Sequence, residues 1–174
     1  GTPFPHTFVK LADDDFNEVG PEEPGELWVK SPSGFSGYWN RPEETATAFR
    51  DGWITVGDVA KRDEDGFIYI VDRKKDMVIT GGVNVYPREV EELLFGHPAV
   101  SDVAVIGVPD EKWGERLRAF IVPNDGQTID ADSIASFCDG KLASYKVPKD
   151  VAVIDALPRN ANGKVLKTEL RKVG

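Results

Sequence analysis

Lys164 ends the run Asn160-Ala161-Asn162-Gly163, a string of turn-forming residues that carries an ammonium away from the body behind it. A compact cation held out in this way suits a reaction in which negative charge builds up, as in chemistry at phosphate. The surrounding segment agrees, because Lys141 to Gly174 holds 8 basic and 3 acidic side chains, net +5, in a chain whose formal net charge is −9. A solvated Lys/Arg surface would have the same composition. Asp58 follows Thr55-Val56-Gly57, at the expected end of a strand. A carboxylate can accept from two vicinal hydroxyls at once, as on a sugar, although a Gly-Asp pair is also a common turn. Asp72-Arg73-Lys74-Lys75-Asp76 sets five charges between two apolar runs, which one packed core would not bury without partners. The chain is expected to divide there. Gly81-Gly82 leaves backbone without Cβ atoms, where a ligand or another chain segment can come close.

The segment DRKKDMVITGGVNVYPREVEE, Asp72 to Glu92, resembles the hinge segment of the AMP-forming adenylating enzymes: acyl-CoA synthetases, firefly-type luciferases and peptide-synthetase adenylation domains. Three further matches follow the family order, GYWNRPEETATAF from Gly37, GWITVGDVA from Gly52 and LPRNANGK from Leu157, so the resemblance covers nearly the whole chain. It implies that Lys164 is the catalytic lysine of adenylate formation, that Asp58 and Arg73 meet the ribose of the nucleotide, and that Lys75 is the hinge. Gly81 and Gly82 match the strand that lines the pantetheine channel. Trp113, Tyr145 and Lys149 match positions that meet the CoA nucleotide, for which a stacking ring and a cation are the chemistry required. The chain departs from some relatives at Val147, where they carry an arginine, and this weakens the expected phosphate contact.

The elements that would position these residues fall into two bodies. In the first, expected over residues 1–74, short strands at Phe8 to Leu11, Glu26 to Lys30, Trp53 to Val56 and Phe67 to Val71 predict a small, mostly antiparallel β subdomain. Phe67 to Val71 is apolar at every position, so all five side chains are expected to be buried if both faces are covered. The second body, residues 75–174, reads strand, helix, strand, strand, helix, strand, helix, a compact α+β domain with a short sheet flanked by helices. Pro87 suits the first position of a helix, and Ile134, Phe137, Cys138 and Leu142 mark one face of another. The last helix is expected from Val165 onward.

Composition bounds the rest. The chain has 174 residues and 40% hydrophobic content, enough for a real core, and no apolar run long enough to span a bilayer. Cys138 is the only cysteine, so no internal disulfide forms, which fits a reducing cytoplasm. His6 and His97 stand alone, with no ligand spacing, so no structural metal is expected and magnesium would arrive with ATP. The opening GTPFPHTFVKLAD, without an initiator methionine, suggests an excised piece that lacks the family's large amino-terminal region. The expected function is that of a fragment of an acid–CoA ligase. The intact ligase would activate a carboxylic acid, fatty or aryl, with ATP to an acyl-adenylate and pass the acyl group to CoA, with no nucleic-acid partner. The alternative is an adenylation domain, or a free-standing module that binds nucleotide or CoA without turnover.

Overall fold

The computed structural model describes residues 1–173 and has an α+β fold built on two five-stranded sheets. It divides into two units, Gly1–Lys75 and Asp76–Gly174, the break falling inside the five-charge run.

In the first unit β1 (Phe8–Ala12), β2 (Gly25–Lys30), β3 (Phe49–Arg50), β4 (Trp53–Arg62) and β5 (Ile68–Arg73) form an antiparallel sheet. β4 is its axis, pairing β2, then β3 over its first residues and β5 over its last. Helix α1 (Pro42–Ala48) places Pro42 in its first turn with Glu43 and Glu44, where carboxylates favour the positive end of the helix. Two expectations need correcting. β4 does not end at Val56 but runs on to Arg62, because Gly57 takes a φ of 75° and lets the strand turn without breaking. The apolar run at β5 is not buried on both faces. Phe67, Tyr69 and Ile70 are 44%, 48% and 46% exposed, since β5 has only β4 as a neighbour.

The second unit contains β6 (Val78–Thr80), β7 (Val83–Val85), α2 (Pro87–Phe95), β8 (Val100–Asp110), β9 (Gly114–Pro123), α3 (Ala131–Cys138), β10 (Asp150–Val153) and α4 (Lys167–Leu170). The sheet order is β10-β9-β6-β7, with β8 also on β9, and β10 runs parallel to β9. β8 and β9 are covered on both faces, which is why Val103 to Val108 reads as an almost unbroken apolar run. One face packs Val103, Val105, Leu117 and Ile121 against Val90 and Leu94 of α2 and Ile134 and Cys138 of α3. The other packs Ala104, Ile106 and Phe120 against Leu157 and Leu170. Asp130 caps α3 reciprocally with Ser133. Glu91 ties α2 to the sheet, accepting from the Val105 N–H at 2.7 Å and pairing with Lys167 at 2.8 Å.

Here too the sequence expectation shifts. β7 is an added strand, formed because Gly81 and Gly82, at φ 58° and 79°, make the two-residue turn that a tight hairpin requires. The final helix is a single turn starting at Lys167. Val165 instead bridges Arg159 in an antiparallel pair, and the Leu166 N–H is given to the Pro158 carbonyl at 2.8 Å.

Candidate active site

Asp58 and Arg73 face each other across β4 and β5, in register, with an ion pair of 3.0 Å. The two residues expected at the ribose are thus side by side. Neither is deeply buried, but Arg73 Nε is shut away from solvent without a hydrogen-bond partner. An unmet buried donor costs about 1–3 kcal/mol.

The charged joint is not uniform. Lys74 is held by Asp14 and by Glu26, both at 2.9 Å, and Glu26 also accepts from the Thr55 hydroxyl. Burial works against the Lys74 ammonium, but its hydrogen bonds to Asp14 and Glu26 outweigh it and raise the pKa. Asp76 is buried and paired with Arg171 at 3.0 Å, within the second unit. Asp72 is buried and takes the Arg73 N–H at 2.7 Å. Lys75, between the two anchored neighbours, is exposed and borders an open groove of about 690 Å³ with Glu26, Arg41, Thr55 and Gly57.

Lys164 lies on a hairpin turn that is tighter than its composition implies. Asn160 Oδ1 accepts from the N–H groups of Asn162 and Lys164 at 3.0 and 2.9 Å, and the Asn160 N–H returns to the Lys164 carbonyl at 2.9 Å. Arg159 braces the turn from below, donating to the Gly163 carbonyl at 2.6 Å and to Asp102 of β8. The run of turn-forming residues is thereby knitted, and it presents an exposed lysine. An ammonium on a braced turn is placed to meet charge at a fixed position.

The third group of residues converges on a cavity of about 320 Å³. Gly81, Trp113, Tyr145 and Lys149, from three separate stretches of chain, line it together. Gly82 shapes the same hairpin turn but is not among the wall residues. Trp113 is 42% exposed, so it is a wall residue and not part of the core. Its ring lies against Gly81, where a Cβ would come within 2.9 Å of Trp113 Cε3, and the Gly81 N–H bonds the Trp113 carbonyl at 2.9 Å. Glycine here admits the indole. The Lys112 and Lys149 ammonium groups stand 4.7 and 5.8 Å from the ring centroid.

Two contributors escape a reading of sequence spacing. Asp110 Oδ1 accepts from the N–H groups of Lys112 and Trp113, each at 2.9 Å, and so fixes the turn that presents the indole. The Trp113 and Lys112 N–H groups, in that order, hold its carboxyl below the usual range. The signal was available in Asp110-Glu111-Lys112-Trp113, an aspartate that can cap its own turn. Arg116 also lines the cavity, carried there by β9, which starts just after Trp113. Cys138 is buried, and burial pushes its thiol up. Among the described residues no cluster of His, Cys, Asp and Glu is arranged to hold a metal, and no helix is long and apolar enough to cross a membrane.

Beside an Asp58–Arg73 ion pair, a lysine on a braced turn and a cavity walled by an aromatic ring and cations, comparison with known proteins gives the class that this chain resembles. Residues 89–164 match the AMP-binding enzyme C-terminal domain. The chain is 50% identical over 172 residues to a feruloyl-CoA synthase of Amycolatopsis sp., covering 99% of this chain and 35% of that protein. It is 48% identical over 171 residues to a long-chain-fatty-acid–CoA ligase of Escherichia coli, covering 98% and 30%. The o-succinylbenzoate CoA synthetase of Bacillus subtilis, solved with its acyl-adenylate intermediate, superposes with a TM-score of 0.91 at 38% identity over 98% of this chain and 35% of that one. Over nearly its whole length the chain is similar to acyl-CoA synthetases and ligases, and what it matches is their carboxyl-terminal part. It spans about a third of the length of these relatives.

Proposed function

We propose that this chain is the part of an acid–CoA ligase that completes adenylate formation and then receives CoA. The carrying observation is the cavity at the β6–β7 hairpin, where Gly81, Trp113, Tyr145 and Lys149 meet. An exposed ring beside a lysine is suited to a base and its phosphates, and the close Gly81–Trp113 contact forms a floor along which a thin pantetheine arm could run. CoA is accordingly the thiol substrate. The acid is fatty or aryl, a reading supported by the likeness to a feruloyl-CoA synthase and to a long-chain-fatty-acid ligase.

ATP, brought with magnesium, supplies the phosphoryl centre that the carboxylate attacks. At that step negative charge gathers between two anions, and the Lys164 ammonium stabilises it. Asp58 accepts from the ribose hydroxyls while Arg73 holds its carboxylate in place. Lys164 and the CoA cavity lie in one body yet serve successive steps, so residues 75–174 form a mobile domain that turns about Lys75. Lys74 and Asp76 are each anchored within their own unit, which concentrates that turn on the exposed residue between them. The enzyme works in the cytoplasm, and the 174-residue chain alone has no adenylating activity.

The test uses the full-length protein that contains this segment, assayed for pyrophosphate release with a panel of fatty and aryl acids and for CoA-dependent AMP release. Acid-dependent pyrophosphate release, with Trp113→Ala raising KM for CoA and leaving pyrophosphate release intact, is the expected result. Pyrophosphate release from the 174-residue chain by itself would contradict the division of labour.

A further inference from the structure

The cavity at Trp113 has a cation that the resemblance does not call for. Arg116 lines it together with Trp113 and Lys149, one turn of pleat beyond the Asp110 loop. Two carboxylates stand near its guanidinium, Asp150 at 3.4 Å and Asp110 at 3.8 Å. Both separations exceed the ~2.7–3.2 Å of a hydrogen bond. The Asp150 oxygen is also engaged elsewhere, and Asp110 turns toward Arg116 only its second oxygen, Oδ2. Asp150 Oδ2 takes the Nε and Nη2 donors of Arg118, and Asp110 Oδ1 takes two backbone N–H groups. Arg116 is therefore steered by charge but not consumed by it, and it is only about a third exposed. A guanidinium in that condition is set to accept a bidentate oxyanion.

Size and charge indicate which oxyanion. A volume of about 320 Å³ is at the small end for ligand clefts, which run to ~300–1,000 Å³, so the cavity holds one end of a molecule as large as CoA. The aromatic wall makes that the adenosine end. Lys112 and Lys149 stand by the ring and Arg116 lines the same cavity, and a phosphate monoester, carrying up to two charges on one group, gains more from such a cluster than either singly charged phosphate of a diphosphate. Val147 adds an apolar residue to the lining.

Resting on the CoA reading above, we propose that Arg116 binds the ribose phosphate monoester of CoA and makes this cavity select CoA over its dephosphorylated form. Arg116 thereby takes over the work for which some relatives place an arginine at the position of Val147.

The experiment is a titration of the 174-residue chain, followed by amide chemical shifts, with CoA and with dephospho-CoA. The latter keeps the base, ribose and diphosphate and lacks only the monoester. Arg116→Ala is expected to weaken CoA binding about tenfold, as the loss of a charge-assisted contact predicts, and to leave dephospho-CoA within about twofold. Arg116→Lys should recover part of the loss. Arg118 still holds Asp150 in both variants, and unchanged spectra away from the cavity confirm that the fold survives. Equal weakening of both ligands, or of neither, overturns the proposal. If Trp113→Ala weakens both ligands while Arg116→Ala weakens neither, the CoA site stands and the role of Arg116 falls. Absence of CoA binding by the unaltered chain removes the CoA reading along with it.

Discussion

The two units bury their apolar residues in different ways. In Gly1–Lys75 the buried apolar side chains are Leu11, Ala12, Trp28, Ala48, Val59 and Ala60, half of them alanines, while Phe4 and Trp39 are 86% and 89% exposed. In Asp76–Gly174 two clusters of Val, Ile, Leu and Phe fill both faces of β8 and β9. A sheet covered on both faces gains stability in proportion to the area withdrawn from water, and one with bare aromatics does not. The second unit thus has what it needs to be a domain in its own right. The first holds its shape more through polar ties, such as Lys74–Glu26, Thr55–Glu26 and Asp58–Arg73.

Separating the units gives the most direct way to break this comparison. Residues 76–174 expressed alone are expected to unfold in one cooperative thermal transition with dispersed amide shifts, and residues 1–75 alone to show no cooperative transition. A sharp transition in the shorter piece would mean that its small core suffices. The contrast also has a chemical side, since the candidate ribose residues pair with each other in the first unit and Lys164 stands exposed in the second. In the full-length enzyme Lys164→Ala should lower adenylate formation about a hundredfold or more while sparing thioester formation from supplied adenylate. Equal loss in both half-reactions would make Lys164 structural. Stability provides a finer measure. Ile121→Ala, at a fully buried site, is expected to cost about 2–5 kcal/mol, and Ile70→Ala, at an exposed edge strand, less than about 1 kcal/mol, read by urea unfolding with hydrogen exchange reporting each unit. Similar costs at both would show that β5 is better covered than its exposure indicates.

Much of the second unit was legible because its signals are local: Pro87 opening a helix, and Ile134, Phe137, Cys138 and Leu142 marking one face of another. The strand register was not. Nothing in the spacing of Arg116, Tyr145 and Lys149 places them around one cavity, because tertiary pairing of β9 with β8 and β10 does so. The resemblance named Trp113, Tyr145 and Lys149 without supplying that geometry. At Phe67–Val71 composition misled, since an all-apolar strand reads as doubly covered, whereas β5 pairs only with β4 and leaves Phe67, Tyr69 and Ile70 exposed. At Gly57 the glycine read as a stop is a bend within a strand, and the difference depends on whether Asp58 finds Arg73 opposite it.

The smallest expected effect tests whether the second unit is rigid at its functional edge as well as in its core. Asp110 organises the Trp113 turn through two N–H groups, first that of Trp113 and then that of Lys112, and its pKa is lowered because those bonds favour the ionised form. A carboxyl depressed in the folded state contributes order that is present above its ordinary value, 3.8, and is lost as pH falls through the lower folded value. The Trp113 turn should therefore stay intact across neutral and mildly acidic pH and loosen only below about pH 4, while the β8–β9 core, which has no titrating group in its apolar clusters apart from the Cys138 thiol, stays folded. Amide exchange at Trp113 and its indole shift, followed from pH 7 to pH 2.5, would register the change. Asp110→Asn keeps an acceptor but no charge, so it should remove the pH dependence and speed Trp113 exchange only severalfold; Asp110→Ala should speed it more. If the Trp113 signals move with a midpoint above pH 5 in the unaltered chain, another group controls the turn and Asp110 merely sits beside it.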